Sequence, residues 1–131
     1  RDYPQSDHII PVLVKHLQEN KVPTITGDGS QARDFIYVKD VVDAVMLSLE
    51  KNSEEKFLNI ASEELTTIND LLSKIKSILG SDISPKYSEE RKGEVKKIYL
   101  SSKRAKKYLN WSPKTDLHQG LLETIKWFKE K

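Results

Sequence analysis

The apolar positions near the start of the chain recur at helical spacing. Ile9, Ile10, Val12, Leu13 and Leu17 fall on one face and predict a helix over 7–20. Pro11 lies in its first turn, where the missing amide is tolerated, and Lys21-Val22-Pro23 ends it. Thr24-Ile25-Thr26 is a short strand candidate, followed by the turn Gly27-Asp28-Gly29-Ser30. Phe35-Ile36-Tyr37-Val38 is rich in strand formers, and so is Phe57-Leu58-Asn59-Ile60. Between these two runs a helix is predicted over 40–50, with Asp40 as its cap and Val42, Val45, Met46 and Leu49 as its apolar stripe.

Further along, Thr67-Ile68-Asn69-Asp70 approaches a capping box. The helix it opens, 67–79, carries Ile68, Leu71, Leu72, Ile75, Ile78 and Leu79 and stops at Gly80. The segments 83–87 and 95–100 read as extended, with a charged, glycine-containing loop between them. A short helix over 102–109 and a last one over 116–129 complete the chain. In the last helix Asp116 and Gln119 are a capping pair, and Leu121, Leu122, Ile125 and Phe128 form the face, with Trp127 at its edge. The expected class is α/β, with mixed helices and short strands. The strands are too few and scattered for a self-contained doubly wound sheet, so the pattern is that of a piece completing a larger neighbour.

Composition narrows the function classes. The 131 residues are 37% hydrophobic and 32% charged, the balance of a folded domain with a solvated surface. There is no cysteine, which excludes thiolate chemistry and cysteine metal sites. The three histidines show no ligand spacing, no apolar run reaches the length of a membrane span, and a cytoplasmic location is the default expectation. The 22 basic and 20 acidic residues leave a net charge of +2. The late basic residues, from Arg91 to Lys107, are interleaved with acids and accompanied by no nucleic-acid motif. A solvated face is expected there, and neither nucleic acid nor membrane as a partner.

No Gly-x-Gly-x-x-Gly turn, phosphate-binding loop or nucleophile signature is present. Two arginines stand out. Arg33 lies between the glycine turn and a strand-forming run, and Arg91 sits in a loop containing Gly93. Two guanidinium groups converging on one diphosphate would form an anion clamp. The plainer alternatives are an Arg33 ion pair with Asp34 or Asp40 and a solvated Arg91.

The run 27–41, Gly-Asp-Gly-Ser-Gln-Ala-Arg-Asp-Phe-Ile-Tyr-Val-Lys-Asp-Val, resembles the signature of the extended short-chain dehydrogenase/reductases in their nucleotide-sugar epimerase and dehydratase branch. In order along the chain, further segments resemble the same family. They are Ile10-Pro11, Phe57-Leu58-Asn59-Ile60, Thr67-Ile68-Asn69-Asp70-Leu71, Arg91-Lys92-Gly93-Glu94, Ser102-Lys103-Arg104-Ala105 with Asn110-Trp111-Ser112-Pro113, and the closing helix.

The resemblance, which is greatest to UDP-glucose 4-epimerases, implies that 1–131 is the C-terminal, substrate-binding portion of such an enzyme, with its Rossmann portion missing. It implies that Arg33 and Arg91 contact the nucleotide diphosphate, that Glu94 lies near the ribose, and that Ile10 and Val12 lie beside the base. It also implies a UDP-sugar or dTDP-sugar as ligand, and in the whole enzyme NAD as cofactor, an N-terminal Rossmann portion and a homodimer. The catalytic Tyr-x-x-x-Lys pair is not matched, because Val41 stands where Tyr37 would need its lysine. No catalytic residue and no NAD site are therefore expected within this chain. A sugar-nucleotide 4,6-dehydratase, a sister enzyme or a non-catalytic nucleotide-binding module are the alternative readings. The sequence departs from the family pattern at Lys39, Ala61, Lys92 and Asn110, the last a substitution for glycine that a left-handed turn accepts.

Overall fold

The computed structural model describes residues 8–51, 55, 57–90, 92–93 and 95–130. The elements run α1 (Ile9–Gln18), β1 (Thr24–Thr26), β2 (Ala32–Asp34), α2 (Val38–Glu50), β3 (Leu65–Thr67), α3 (Ile68–Leu79), β4 (Lys86–Ser88), α4 (Lys103–Leu109) and α5 (Leu117–Lys129). They form two compact units, 1–31 with 67–96 and 32–66 with 97–131.

In the first unit α1 packs against α3. Ile68, Leu71, Leu72 and Ile75 are buried on α3 as the helical spacing predicts, while α1 buries Leu13 and Leu17 of its predicted face together with Val14, and leaves Ile9, Ile10 and Val12 half buried. β1 pairs in parallel with β4, Thr24 opposite Lys86 and Thr26 opposite Ser88. Burial of Ile25 anchors the middle of β1. Thr67 caps α3 by accepting from the Asp70 amide at 3.0 Å, and its hydroxyl donates to the Asp70 carboxylate at 2.7 Å. Gly80 ends the helix in the left-handed conformation, φ 66°.

In the second unit β2 and β3 make a two-stranded sheet, and Ala32 adds an isolated parallel bridge to Lys97. The core is built on Ala44, Ala105, Leu109 and Trp111, with Ile36, Leu47, Leu58 and Ile60 packed around it. Asn110 ends α4 in the left-handed conformation, φ 55°, the role its place in the motif implies. Asp116 caps α5 by accepting from the Gln119 amide at 2.8 Å. The reciprocal half of that pair does not form: the Gln119 carboxamide reaches Glu123 instead. Trp127 packs edge-on against Phe128 and stays half exposed.

Five expectations are corrected. The strand expected over Phe35–Val38 lies three residues earlier, at Ala32–Asp34, because the Tyr37 carbonyl oxygen accepts from the Asp40 and Val41 amides and starts α2 at Val38. Asp40 is consequently inside the first turn and not the cap. Its buried carboxylate accepts from the Thr115 amide at 3.0 Å and the Thr115 hydroxyl at 3.3 Å. Phe57–Asn59 forms no strand, since propensity alone does not make one and the segment has no ladder among the described residues. Of the expected 95–100 strand only the Lys97 bridge forms.

The fifth correction concerns α2. Its helical period is as expected, but the face it buries is not. Asp40 and Ala44 are buried, whereas Val42, Val45 and Met46 are each 52% exposed and Leu49 76%. Periodicity shows that an apolar stripe exists; it does not show whether this chain covers it.

Candidate functional site

The signature run begins in the first unit as a turn locked to α3. Gly27 and Gly29 take φ of 71° and 76°, a region open to glycine and strained for other residues. The Asp28 carboxylate closes the turn by accepting from the Ser30 amide at 2.9 Å and the Ser30 hydroxyl at 2.6 Å. Those bonds, the hydroxyl first, hold the Asp28 carboxyl below its ordinary value, with Lys96 adding a smaller pull in the same direction. Asn69 fastens the turn to the start of α3. Its carboxamide donates to the Asp28 carbonyl oxygen at 2.9 Å and accepts from the Tyr87 hydroxyl at 3.0 Å, and its amide donates to the Gly29 carbonyl oxygen at 3.1 Å. A Cβ at Gly29 would collide with the Asn69 carboxamide. Gln31 adds a bond to the Thr26 carbonyl oxygen. Asn69 and Tyr87 were not singled out from the sequence. The signal that finds Asn69 is its place beside the Thr67 cap.

The second unit holds Arg33, on β2 and half buried. Its guanidinium donates to the Ala32 carbonyl oxygen at 2.9 Å. The next residue, Asp34, accepts three hydrogen bonds from the turn that leads to β3: the Ser62 amide at 2.8 Å, the Ser62 hydroxyl at 2.7 Å and the Glu63 amide at 2.9 Å. Nearby, a cleft of ≈ 200 Å³ is lined by Phe35, Ser62, Glu64 and Thr66 on one side and residues 113–117 on the other. Lys114, Glu64 and Asp116 give it mixed charge.

Of the other residues singled out, Ile10 and Val12 lie in the first two turns of α1, both half buried. Arg91 and Glu94 lie outside the described residues. Lys92 and Gly93, between them, form a turn with Gly93 at φ 84°. His16 bonds within its own helix to the Val12 carbonyl oxygen at 2.8 Å. Among the described residues there is no cluster of metal ligands and no helix long and apolar enough to cross a membrane.

The residues present do not fit NAD at the chain's Gly-x-Gly turn. A dinucleotide cradle needs open space above its glycines for the pyrophosphate, and here the Asn69 side chain fills the space over Gly29.

Short mixed sheets between helices, with a glycine turn docked on a helix start and an Arg-Asp-Phe strand end, make this an α/β chain that matches part of the larger extended short-chain dehydrogenases. The chain belongs to the GDP-mannose 4,6 dehydratase family, whose model matches residues 3–124, within the NAD-dependent epimerase/dehydratase superfamily of extended short-chain dehydrogenases. It is similar to the UDP-glucuronate 4-epimerase of Thermodesulfobacterium geofontis, 32% identical over 90% of this chain and 36% of the relative. Among solved structures it resembles the UDP-glucose 4-epimerase of Thermotoga maritima with UDP-glucose. There the TM-score is 0.91 and the identity 36%, over 99% of this chain and 42% of that one. It also resembles the dTDP-glucose 4,6-dehydratase of Bacillus anthracis in complex with NAD, with a TM-score of 0.84 and 27% identity, over 95% of this chain and 40% of that one. The chain spans about two fifths of the length of the curated relatives it matches. The family is catalytic, and NAD is bound in several of the related structures.

Proposed function

We propose that this chain is the nucleotide-sugar-binding portion of an NAD-dependent sugar-nucleotide 4-epimerase that interconverts UDP-glucose and UDP-galactose. The observation that carries the reading is the match, at 36% identity and over nearly the whole chain, to an epimerase whose structure holds UDP-glucose. NAD held by the rest of the enzyme would supply hydride chemistry at the sugar's C4; this chain's residues hold the nucleotide. Arg33 and Arg91 neutralise the diphosphate, Glu94 accepts from the ribose hydroxyls, and Ile10 and Val12 flank the base. Each assignment follows the residue's place in its motif and the chemistry of its side chain. A sugar-nucleotide 4,6-dehydratase is the second reading, favoured by the matched family model and by the similarity to the Bacillus anthracis enzyme.

The α2 face of Val42, Val45, Met46 and Leu49, with Phe57 at 81% exposure, is the surface this reading assigns to the cofactor-binding portion, in an enzyme that is a cytoplasmic homodimer. The test is a titration of the labelled chain with UDP-glucose, dTDP-glucose, GDP-mannose and NAD, followed by NMR. UDP-glucose is expected to bind most tightly and to perturb Arg33 and its neighbours, with NAD producing no effect. Micromolar NAD affinity, or no response to any sugar nucleotide at millimolar concentration, overturns the reading.

A further inference from the structure

The polar network behind Arg33 has a use that the fold alone does not explain. Asp34 takes three hydrogen bonds from two consecutive residues, Ser62 and Glu63. Glu63 is held at φ 63°, a region a non-glycine residue enters only against a steric cost. Asp34 on its amide is one restraint. The other is its own carboxylate, which accepts from the Ser101 hydroxyl at 3.1 Å and the Ser102 amide at 2.5 Å, just ahead of α4. The buried Ser102 hydroxyl in turn brackets Ala61, accepting from its amide at 2.9 Å and donating to its carbonyl oxygen at 3.0 Å. On the other side of Arg33, the Ala32 carbonyl oxygen accepts from the Ile98 amide at 3.3 Å as well as from the guanidinium itself. Residue 33 therefore sits between two backbone positions that are tied to different parts of the unit, and on its C-terminal side the Asp34 carboxylate adds a side-chain tie to the pairing of β2 with β3.

We propose that Asp34 is a positioning residue for Arg33: by fastening the end of β2 to the strained 62–63 turn, it fixes the backbone from which the guanidinium addresses a diphosphate. The inference rests on the reading of Arg33 as a diphosphate ligand. Its physical basis is that a forked guanidinium contact with phosphate oxygens depends on geometry as well as charge. Asp34→Asn removes the charge and sets a carboxamide N–H against a backbone donor, so the turn is released while the side-chain volume is kept.

The test is a double-mutant cycle on the 131-residue chain, with UDP as the probe and binding followed by NMR. Arg33→Ala, Asp34→Asn and the double variant are compared at fixed ionic strength. Asp34→Asn is expected to weaken UDP binding about threefold to tenfold, the scale of one or two hydrogen bonds, and to have no further effect once Arg33 is alanine. A merely structural role would lower affinity by the same factor in both backgrounds, and that result, or no loss at all, overturns the proposal and leaves the Arg33 reading standing. If Arg33→Ala itself leaves UDP affinity unchanged, the proposal falls together with that reading. Should Asp34→Asn unfold the chain, Ser62→Ala, which removes only the hydroxyl donor, is expected to give a smaller loss, again present only with Arg33 in place. An equal loss in both backgrounds overturns the proposal there too.

Discussion

Trp111 donates from its indole nitrogen to the carbonyl oxygen of Asp40 at 3.0 Å, joining residues 71 positions apart in the sequence. The ring is 2% exposed, and the Asp40 carboxylate accepts from Thr115 in the same unit. This tie anchors the start of α2, and with it the end of the signature run. Trp111→Phe loses one buried hydrogen bond and part of the ring volume, so the second unit is expected to lose roughly 2–3 kcal/mol of stability. Urea unfolding of the two proteins measures it, and equal midpoints would show that the bond carries no weight.

The Asp28 turn has a pH dependence of definite sign. The carboxyl is held below its ordinary value of 3.8, first by the Ser30 hydroxyl and then by the Ser30 amide. A carboxylate with a depressed folded value stabilises the turn above its unfolded value, and that contribution disappears as pH falls through the folded one. An NMR titration of the side-chain carboxyl is expected to give a midpoint below 3.8. Ser30→Ala should raise that midpoint by removing the largest cause. A midpoint indifferent to residue 30 would count against the Asx turn as its origin.

The uncovered stripe of α2 predicts self-association. Val42, Val45, Met46 and Leu49 lie more than half exposed on one helix, and contiguous apolar surface of this kind seeks a partner. Sedimentation velocity of the chain alone is expected to show association that rises with concentration and is suppressed by Val45→Glu. A strictly monomeric chain at all concentrations would contradict this expectation.

Much of the fold was legible in the sequence because helices carry their information locally. The caps at Thr67 and Asp116, the stops at Gly80 and Asn110, the buried face of α3 and the burial of Leu13 and Leu17 on α1 all follow from spacing and capping chemistry. The strands were harder to read, because a strand is defined by its neighbour. Phe35–Val38 and Phe57–Asn59 have the right residues, while the ladder of β2 and β3 forms at Ala32–Asp34 and Leu65–Thr67, whose sequences are no richer in strand formers. The site was legible only in part. Arg33 stood out by its motif, whereas the roles of Asp34, Ser62 and Glu63 depend on a contact between residues 28 and 29 positions apart that no local pattern announces.

Arg33 is proposed to hold the diphosphate of a nucleotide sugar, and UDP-glucose affinity for the chain and for Arg33→Ala at fixed ionic strength measures this. Loss of a charge-assisted contact is expected to weaken binding by ~1.5–3 kcal/mol. Equal affinities would contradict the account and leave Arg33 a structural residue of β2.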